Sequence, residues 1–269
     1  MKVYKLGRVG NLRSTTLFHA FARAGLYGLI LVEPDDTYLS LGYFDNLQQV
    51  IDLERAKTLN IPIIRREVGG GTVLLSRGQV FYQLVVPKSL APFKVEDAYK
   101  KFSQPVMETY RQLGIEVEYR PINDIITKGT KRKISGQGAG DIGKAFVFVG
   151  NILLRFDTQL MAELLKVPDK GLLKSLLDEN ISWVERETGR LPDFWNVAEL
   201  LERSFRKVLP LEGEGEVPQE ILELADKLKE ELTSEETLFE DTGRNHKLLK
   251  IREGIFLERE SLRILRDKE

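Results

Sequence analysis

Three short stretches carry residue types suited to chemistry on an anionic substrate. The first is Arg65-Arg66 followed by Gly69-Gly70-Gly71. Side-chain-free glycines let backbone N–H groups approach a bound anion, and a neighbouring guanidinium supplies fixed charge in a geometry that matches phosphate. The second is Lys133, which precedes Ile134-Ser135-Gly136 where a basic, glycine-flanked loop becomes a strand, close to backbone that a ligand can approach. The third is Asn123-Asp124, in a polar turn after Pro121-Ile122, where a carboxylate is placed to hold a metal. Each has a plain alternative: a tight turn with exposed arginines, or a solvated run of lysines.

Composition narrows the chemistry. The chain has no cysteine and two histidines, His19 and His246, which removes disulfides, thiolate zinc sites, thiol nucleophiles and histidine-rich metal centres. His19 falls on or near the apolar face of a helix, so a structural or surface role is expected for it. With 40 basic and 41 acidic residues, no whole-surface attraction to nucleic acid is expected. No run has the length of a signal-peptide core or a membrane span, and the expectation is a cytoplasmic protein without a membrane partner. A chain of 269 residues, 42% hydrophobic, suffices for one large domain or one with a small appendage.

These groups need positioning elements, and the pattern supplies them. Ser14 to Leu26 has helical spacing with Ser14 as N-cap, and a strand, turn and strand (Gly28 to Glu33, Thr37 to Leu41) read as a hairpin. A helix over Leu47 to Leu59 leads to a strand over Ile61 to Ile64 and the arginine–glycine loop. Val95 to Leu113 is helical with a kink or break expected at Pro105, and Ile115 to Arg120 alternates as a strand. Gly138-x-Gly140-x-x-Gly143 and the G-x-x-x-x-G-K run from Gly138 to Lys144 mimic nucleotide fingerprints. The residues after them, Ala145 to Val149, are β-branched and aromatic, whereas both mechanisms need a helix N-terminus. Helical spacing returns over Leu160 to Leu165, Lys170 to Leu177 and Val197 to Leu209, and Trp183 and Trp195 read as packing residues. An acidic linker over 210–217 separates residues 1–209 from a small C-terminal helix plus hairpin over 218–269, the hairpin turning at Glu253-Gly254.

In this order, R-R-x-x-G-G-G at Arg65 to Gly71, N-D at Asn123-Asp124 and K-I-S-G at Lys133 to Gly136 resemble the lipoate–protein ligase A family. The resemblance spans about Met1 to Leu209. It implies an α/β (α+β) fold: a mixed, mostly antiparallel sheet packed with helices, like the class II synthetase and biotin–lipoate ligase catalytic domains. The implied activity is ATP-dependent conversion of lipoate or octanoate to acyl-AMP, then transfer to a lysine of an acceptor domain. That acceptor would be a 2-oxoacid dehydrogenase E2 or a glycine-cleavage H-type protein. The match carries nucleotide contacts onto Arg66, Gly69, Gly70, Gly71, Thr72, Val73, Leu74 and Lys133, with Lys133 as the catalytic lysine. It carries lipoyl contacts onto Gly70, Gly71, Lys133, Ser135 and Gly136, and Mg²⁺ placement onto Asp124 and Asn123.

The sequence departs from the family pattern in two places. The family usually continues G-G-G-A-V-x-H-D, where this chain has Thr72, Leu75 and Ser76 at the Ala, His and Asp positions, and Phe148-Val149 replace a common His-His pair. These departures bear on substrate identity. Only about 60 residues follow Pro210, so the resemblance further implies an accessory domain on a separate subunit. An octanoyl or lipoyl transferase acting between carrier proteins is the neighbouring alternative, disfavoured where a cysteine thioester is required. A non-catalytic acyl- or nucleotide-binding relative is the alternative of another class. Burying about seven methylenes at roughly 0.8 kcal/mol each offers on the order of 5 kcal/mol, so an acyl substrate calls for an apolar tunnel.

Overall fold

The computed structural model describes residues 1–267. Its strands in chain order are β1 (Lys2–Val9), β2 (Gly28–Pro34), β3 (Tyr38–Leu41), β4 (Ile63–Arg65), β5 (Val73–Leu75), β6 (Gln79–Pro87) and β7 (Val117–Arg120). They continue as β8 (Asp124–Thr127), β9 (Lys133–Ile142), β10 (Ala145–Leu153), β11 (Leu248–Arg252), β12 (Ile255–Glu258) and β13 (Ile264–Arg266). A seven-stranded sheet has the order β1-β2-β6-β10-β9-β8-β7, and only its β1–β2 pairing is parallel. Two three-stranded sheets, β4-β3-β5 and β11-β12-β13, flank it. This is the mixed, mostly antiparallel α/β arrangement expected.

Central strands of the large sheet are buried on both faces, which is why β10 reads AFVFVGNIL with little polar alternation. Helices Val95–Gln112 and Phe194–Arg206 cover one face, over Tyr82, Leu84, Phe146 and Phe148. The other face, with Ile30, Phe81, Val85 and Val147, is covered by helix Arg13–Ala24, on which helix Gln219–Leu232 packs in turn. A third cluster joins β3, the helices Thr158–Leu164 and Lys170–Asn180, and the C-terminal strands through Leu39, Leu153, Leu173, Ile251 and Leu257.

Several local expectations are corrected. Ser14 is not an N-cap: the helix begins at Arg13 after Leu12, whose N–H donates to Asp36 Oδ2 at 2.9 Å, and the Ser14 hydroxyl is buried against Tyr38 Oη. The strands β2 and β3 do not form a hairpin. Buried on every residue, β2 enters the large sheet, while β3 pairs with β4 and β5. The helix expected over Leu47 to Leu59 is split into Leu47–Val50 and Leu53–Thr58, because Asp52 caps a new N-terminus and Ile51 bridges to Leu165. Helix Val95–Gln112 is unbroken at Pro105, its apolar stripe from Ala98 to Tyr110 being packed on the sheet from both halves. The near-fingerprint glycines lie on β9 and in its turn to β10, with no helix after them, as read. Trp183 is half-buried against the third cluster, but Trp195 is exposed.

The acidic segment is not a free tether. Val3 donates to Gly213 O at 3.1 Å and Gly215 to Val3 O at 2.9 Å, which holds it along the edge of β1. Beyond it the expected helix and Glu253-Gly254 hairpin are present, and β13 extends the hairpin into a sheet. Their apolar residues belong to the same clusters as the rest of the chain.

Candidate active site

The glycine loop is held by close backbone approach. A Cβ on Gly42 would lie 2.0 Å from Gly70 O, and one on Gly138 would lie 2.5 Å from Gly69 O, so the loop lies between two positions that must be glycine. Gly70 itself has φ 97°, in the region that favours glycine. Arg66 folds into this loop rather than out of it: its guanidinium is buried and donates to Ser40 O (2.7 Å), Gly71 O (2.7 Å) and Gly69 O (3.2 Å). Gly69 N–H is spent on Ala139 O at 3.1 Å, whereas Gly70 and Gly71 N–H make no hydrogen bond within the described residues. His19 anchors the loop from below, accepting from Glu67 N–H at Nε2 (2.9 Å) and donating from Nδ1 to Thr15 O (2.9 Å). Complete burial, aided by the charges of Arg23 and Arg66, pushes its pKa down to about 3, so it stays neutral and serves structure.

Lys133 opens β9, and a bulge there aims it. Asp124 pairs with Gly136 and Ile125 with Ser135, but Ile126 pairs with Lys133, so Ile134 is the extra residue. The alternation resets, and Lys133 shares a face with Gly136, where an added Cβ would lie 2.9 Å from its Nζ. Ser135 faces the opposite way, with its hydroxyl on Asn151 O at 2.7 Å in the core. That is a correction to its expected lipoyl contact. Asp124, fully buried behind the lysine, places Oδ1 2.9 Å from Lys133 Nζ. Burial alone would raise the Asp124 pKa, but the ammonium groups of Lys133 and Lys250 and the Glu253 N–H together hold it below the usual carboxylate value.

These parts open on one cavity of about 260 Å³. Arg66, Gly70, Gly71, Thr72, Val73, Leu74, Asn123, Lys133 and Gly136 line it, while Gly69, Asp124 and Ser135 do not. Val149, Leu153, Met161, Leu177 and Leu249 make much of the remaining wall apolar. Of the departures from the family pattern, Leu75 and Phe148 are core residues, Val149 faces the cavity, Thr72 donates to Asp45 Oδ2 at 2.7 Å, and Ser76 lies outside the cavity, its hydroxyl 3.3 Å from Arg77 O.

Sequence reasoning missed the C-terminal wall. His246, Lys250 and Arg259 all reach the cavity from the extension. Lys250 Nζ lies 2.6 Å from Asn123 Oδ1, 2.7 Å from Glu253 Oε1 and 3.7 Å from Asp124 Oδ1. Arg259 donates from Nη1 to Lys166 O at 2.7 Å, and burial pulls its pKa down to about 10. Nothing in the local pattern L-L-K-I-R-E-G sets Lys250 apart from any hairpin lysine. The metal expectation at Asn123 and Asp124 also needs correcting. Asp124 Oδ2 accepts from Glu253 N–H at 2.7 Å, and the other side-chain oxygens already face ammonium groups. As arranged, they do not fit a divalent cation.

Comparison with known proteins identifies the family and the fold. The model of the lipoyl protein ligase A/B catalytic domain matches residues 14–206. A provisionally named lipoate-protein ligase A of Aeropyrum pernix is 28% identical over 212 residues, 77% of this chain and 75% of that protein. The octanoyltransferase LipM of Geobacillus kaustophilus is 27% identical over 163 residues, 51% of this chain and 58% of that protein. Among solved structures, the bipartite lipoate protein ligase of Thermoplasma acidophilum superposes with a TM-score of 0.76 at 22% identity, covering 91% of this chain and 98% of its own. A lipoate-protein ligase A bound with ATP gives 0.73 at 22% identity, covering 89% and 99%. The fold is that of the lipoate–protein ligases, and this chain belongs to the lipoyl protein ligase A/B catalytic-domain family.

Proposed function

We propose that the chain is a lipoate–protein ligase that activates lipoate or octanoate with ATP and transfers the acyl group to a lysine of an acceptor protein domain. The observation that carries this reading is convergence: the Lys133 ammonium and the unpaired amides of Gly70 and Gly71, more than 60 residues apart in sequence, open on one cavity whose other walls are largely apolar. A carboxylate oxygen attacks the α-phosphorus, pyrophosphate leaves, and the charge that builds on the phosphoryl oxygens falls where Lys133 and the two amides can meet it. In the second step the acceptor amine attacks the acyl carbon, AMP leaves with the phosphoryl oxygen, and the amine loses its proton.

The apolar wall receives the acyl chain, and the backbone of Thr72, Val73 and Leu74 faces the nucleotide. Arg66 supports the nucleotide by shaping the glycine loop. Any Mg²⁺ would come with ATP as part of the substrate, with no ligand asked of Asn123 or Asp124. The ATP-bound relative supports nucleotide use, and the bipartite Thermoplasma ligase, described with its E2 lipoyl domain, supports an acceptor of that kind. It also supports a separate accessory subunit, although here the extension already supplies one wall of the cavity.

The LipM relatives favour a second reading, transfer of octanoate between carrier proteins. Pyrophosphate release from ATP with lipoate or octanoate separates the two, run with and without an acceptor domain and an accessory subunit. Release that depends on the acyl acid is expected; acyl transfer from a carrier protein without pyrophosphate would replace the ligase reading.

A further inference from the structure

The corner beside Lys133 already holds a cation, and the C-terminal hairpin brings it. Lys250 Nζ sits among three oxygens: Asn123 Oδ1 at 2.6 Å, Glu253 Oε1 at 2.7 Å and Asp124 Oδ1 at 3.7 Å. These are the donors a divalent ion would use. Mg²⁺ requires about six oxygens at roughly 2.0–2.1 Å in near-octahedral order, and here the nearest oxygens are engaged by two ammonium groups and a backbone N–H. No group of three acidic or histidine side chains able to hold a metal occurs among the described residues.

We propose that Lys250 is the resident cation of this corner and a second substrate-facing ammonium, delivered by the C-terminal hairpin, so that the protein itself holds no metal there. The proposal rests on the ligase reading for its catalytic half. Two lysines then share one buried carboxylate, Lys133 at 2.9 Å and Lys250 at 3.7 Å, and both line the cavity. Glu253, mostly buried beside Lys250, balances the added charge until an anionic substrate arrives. The competing role for Lys250 is a latch that merely ties the hairpin down. Against it, the hairpin is fastened independently by the Glu253 N–H on Asp124 and by Ile251, Ile255 and Leu257 in the third cluster.

The test has two arms. Mn²⁺ is titrated into the nucleotide-free protein and followed by electron paramagnetic resonance. The wild type is expected to show no bound Mn²⁺ at sub-millimolar concentration, and Lys250→Met, which keeps the stem but frees Asn123 Oδ1 and Glu253 Oε1 and leaves Asp124 Oδ1 to Lys133 alone, is expected to gain a site that Asp124→Asn removes. Wild-type Mn²⁺ binding that is lost in Asp124→Asn overturns the proposal without recourse to the Lys250 variant. In the second arm, single-turnover adenylate formation by Lys250→Met is expected to fall about 10²–10³-fold, with partial rescue in Lys250→Arg. A wild-type rate in Lys250→Met, with only a lowered melting temperature, makes the residue a latch and overturns the catalytic half. If wild type forms no adenylate even with an accessory subunit supplied, the ligase reading fails instead, and the Mn²⁺ arm still decides who occupies the corner.

Discussion

The two lips of the cavity are built on different principles. One lip, the loop from Arg65 to Leu74 against β9, works through backbone: two amides face the cavity, and glycines at positions 42, 70 and 138 permit an approach that no side chain would survive. The other lip, the hairpin of β11 and β12, works through side chains placed on an ordinary turn. A lip made of backbone leaves a dense glycine signature, whereas a lip made of side chains on a docked hairpin leaves none. Between them stands Lys133, and removing it tests the comparison most severely. Lys133→Ala is expected to lower adenylate formation by at least about 10²–10³-fold, and to lower the melting temperature as well, because buried Asp124 loses its nearest cation. A wild-type rate of pyrophosphate release from that variant would sink the site as described.

The lips are tied together by Arg65, and this tie is the next thing to break. Its buried guanidinium donates to Tyr43 O (2.9 Å) and Asp45 O (2.8 Å) beside the glycine loop, and to Thr237 O (2.7 Å) and Leu238 O (2.8 Å) before the hairpin. Arg65→Met strands these four carbonyls, and Gly42 O (3.3 Å) and Glu240 O (3.5 Å) besides, and is expected to cost about 3 kcal/mol or more in urea melts. Proteolysis should then cut within 240–247 first, while the large sheet stays protected. Cleavage at the same rate as wild type would mean that the extension docks without this residue.

Much of the first lip was legible and almost none of the second. Lys133 was placed at a loop-to-strand junction, and it is the first residue of β9. What escaped was orientation: the bulge at Ile134 turns Ser135 into the core and Lys133 toward the cavity, and no local pattern announces a bulge. Gly69 looked like its two neighbours until its amide was found on Ala139. Lys250 is a functional candidate only because a hairpin 127 residues downstream of Asn123 docks on it, a fact of tertiary packing. The acidic segment reads as a linker by composition, and what composition does not show is that it lies bound along the open edge of β1.

The glycine rule can be sharpened within the first lip itself. An alanine Cβ at Gly42 would meet Gly70 O at 2.0 Å, but at Gly71 it would meet nothing within 4 Å. Gly42→Ala is therefore expected to destabilise by about 1–3 kcal/mol, as forced overpacking does, and to weaken acyl binding. Gly71→Ala should leave stability within about 0.5 kcal/mol of wild type. Equal effects in urea melts would show that conformational freedom, and not close approach, selects these glycines.

Acid should undo the two lips in different pH windows. His19 titrates near 6.5 when unfolded and about 3 in the fold, so the unfolded chain binds a proton that the folded one refuses. The stability this gives is fully present above about pH 6.5 and falls as pH drops toward 3, by at most roughly 1.4 kcal/mol per pH unit. Asp124 is also held below the ordinary aspartate value of 3.8, so its contribution is present above that pH and is lost only as pH falls through the lower folded value. Two amides report the lips separately: Glu67 N–H donates to His19, and Glu253 N–H donates to Asp124. Between pH 6.5 and 4.5 the hydrogen-exchange protection of Glu67 should decline ahead of that of Glu253, and His19→Gln should abolish the difference in slope. If both amides lose protection together in wild type, the lips open as one unit and the protonation of His19 is not what loosens the first.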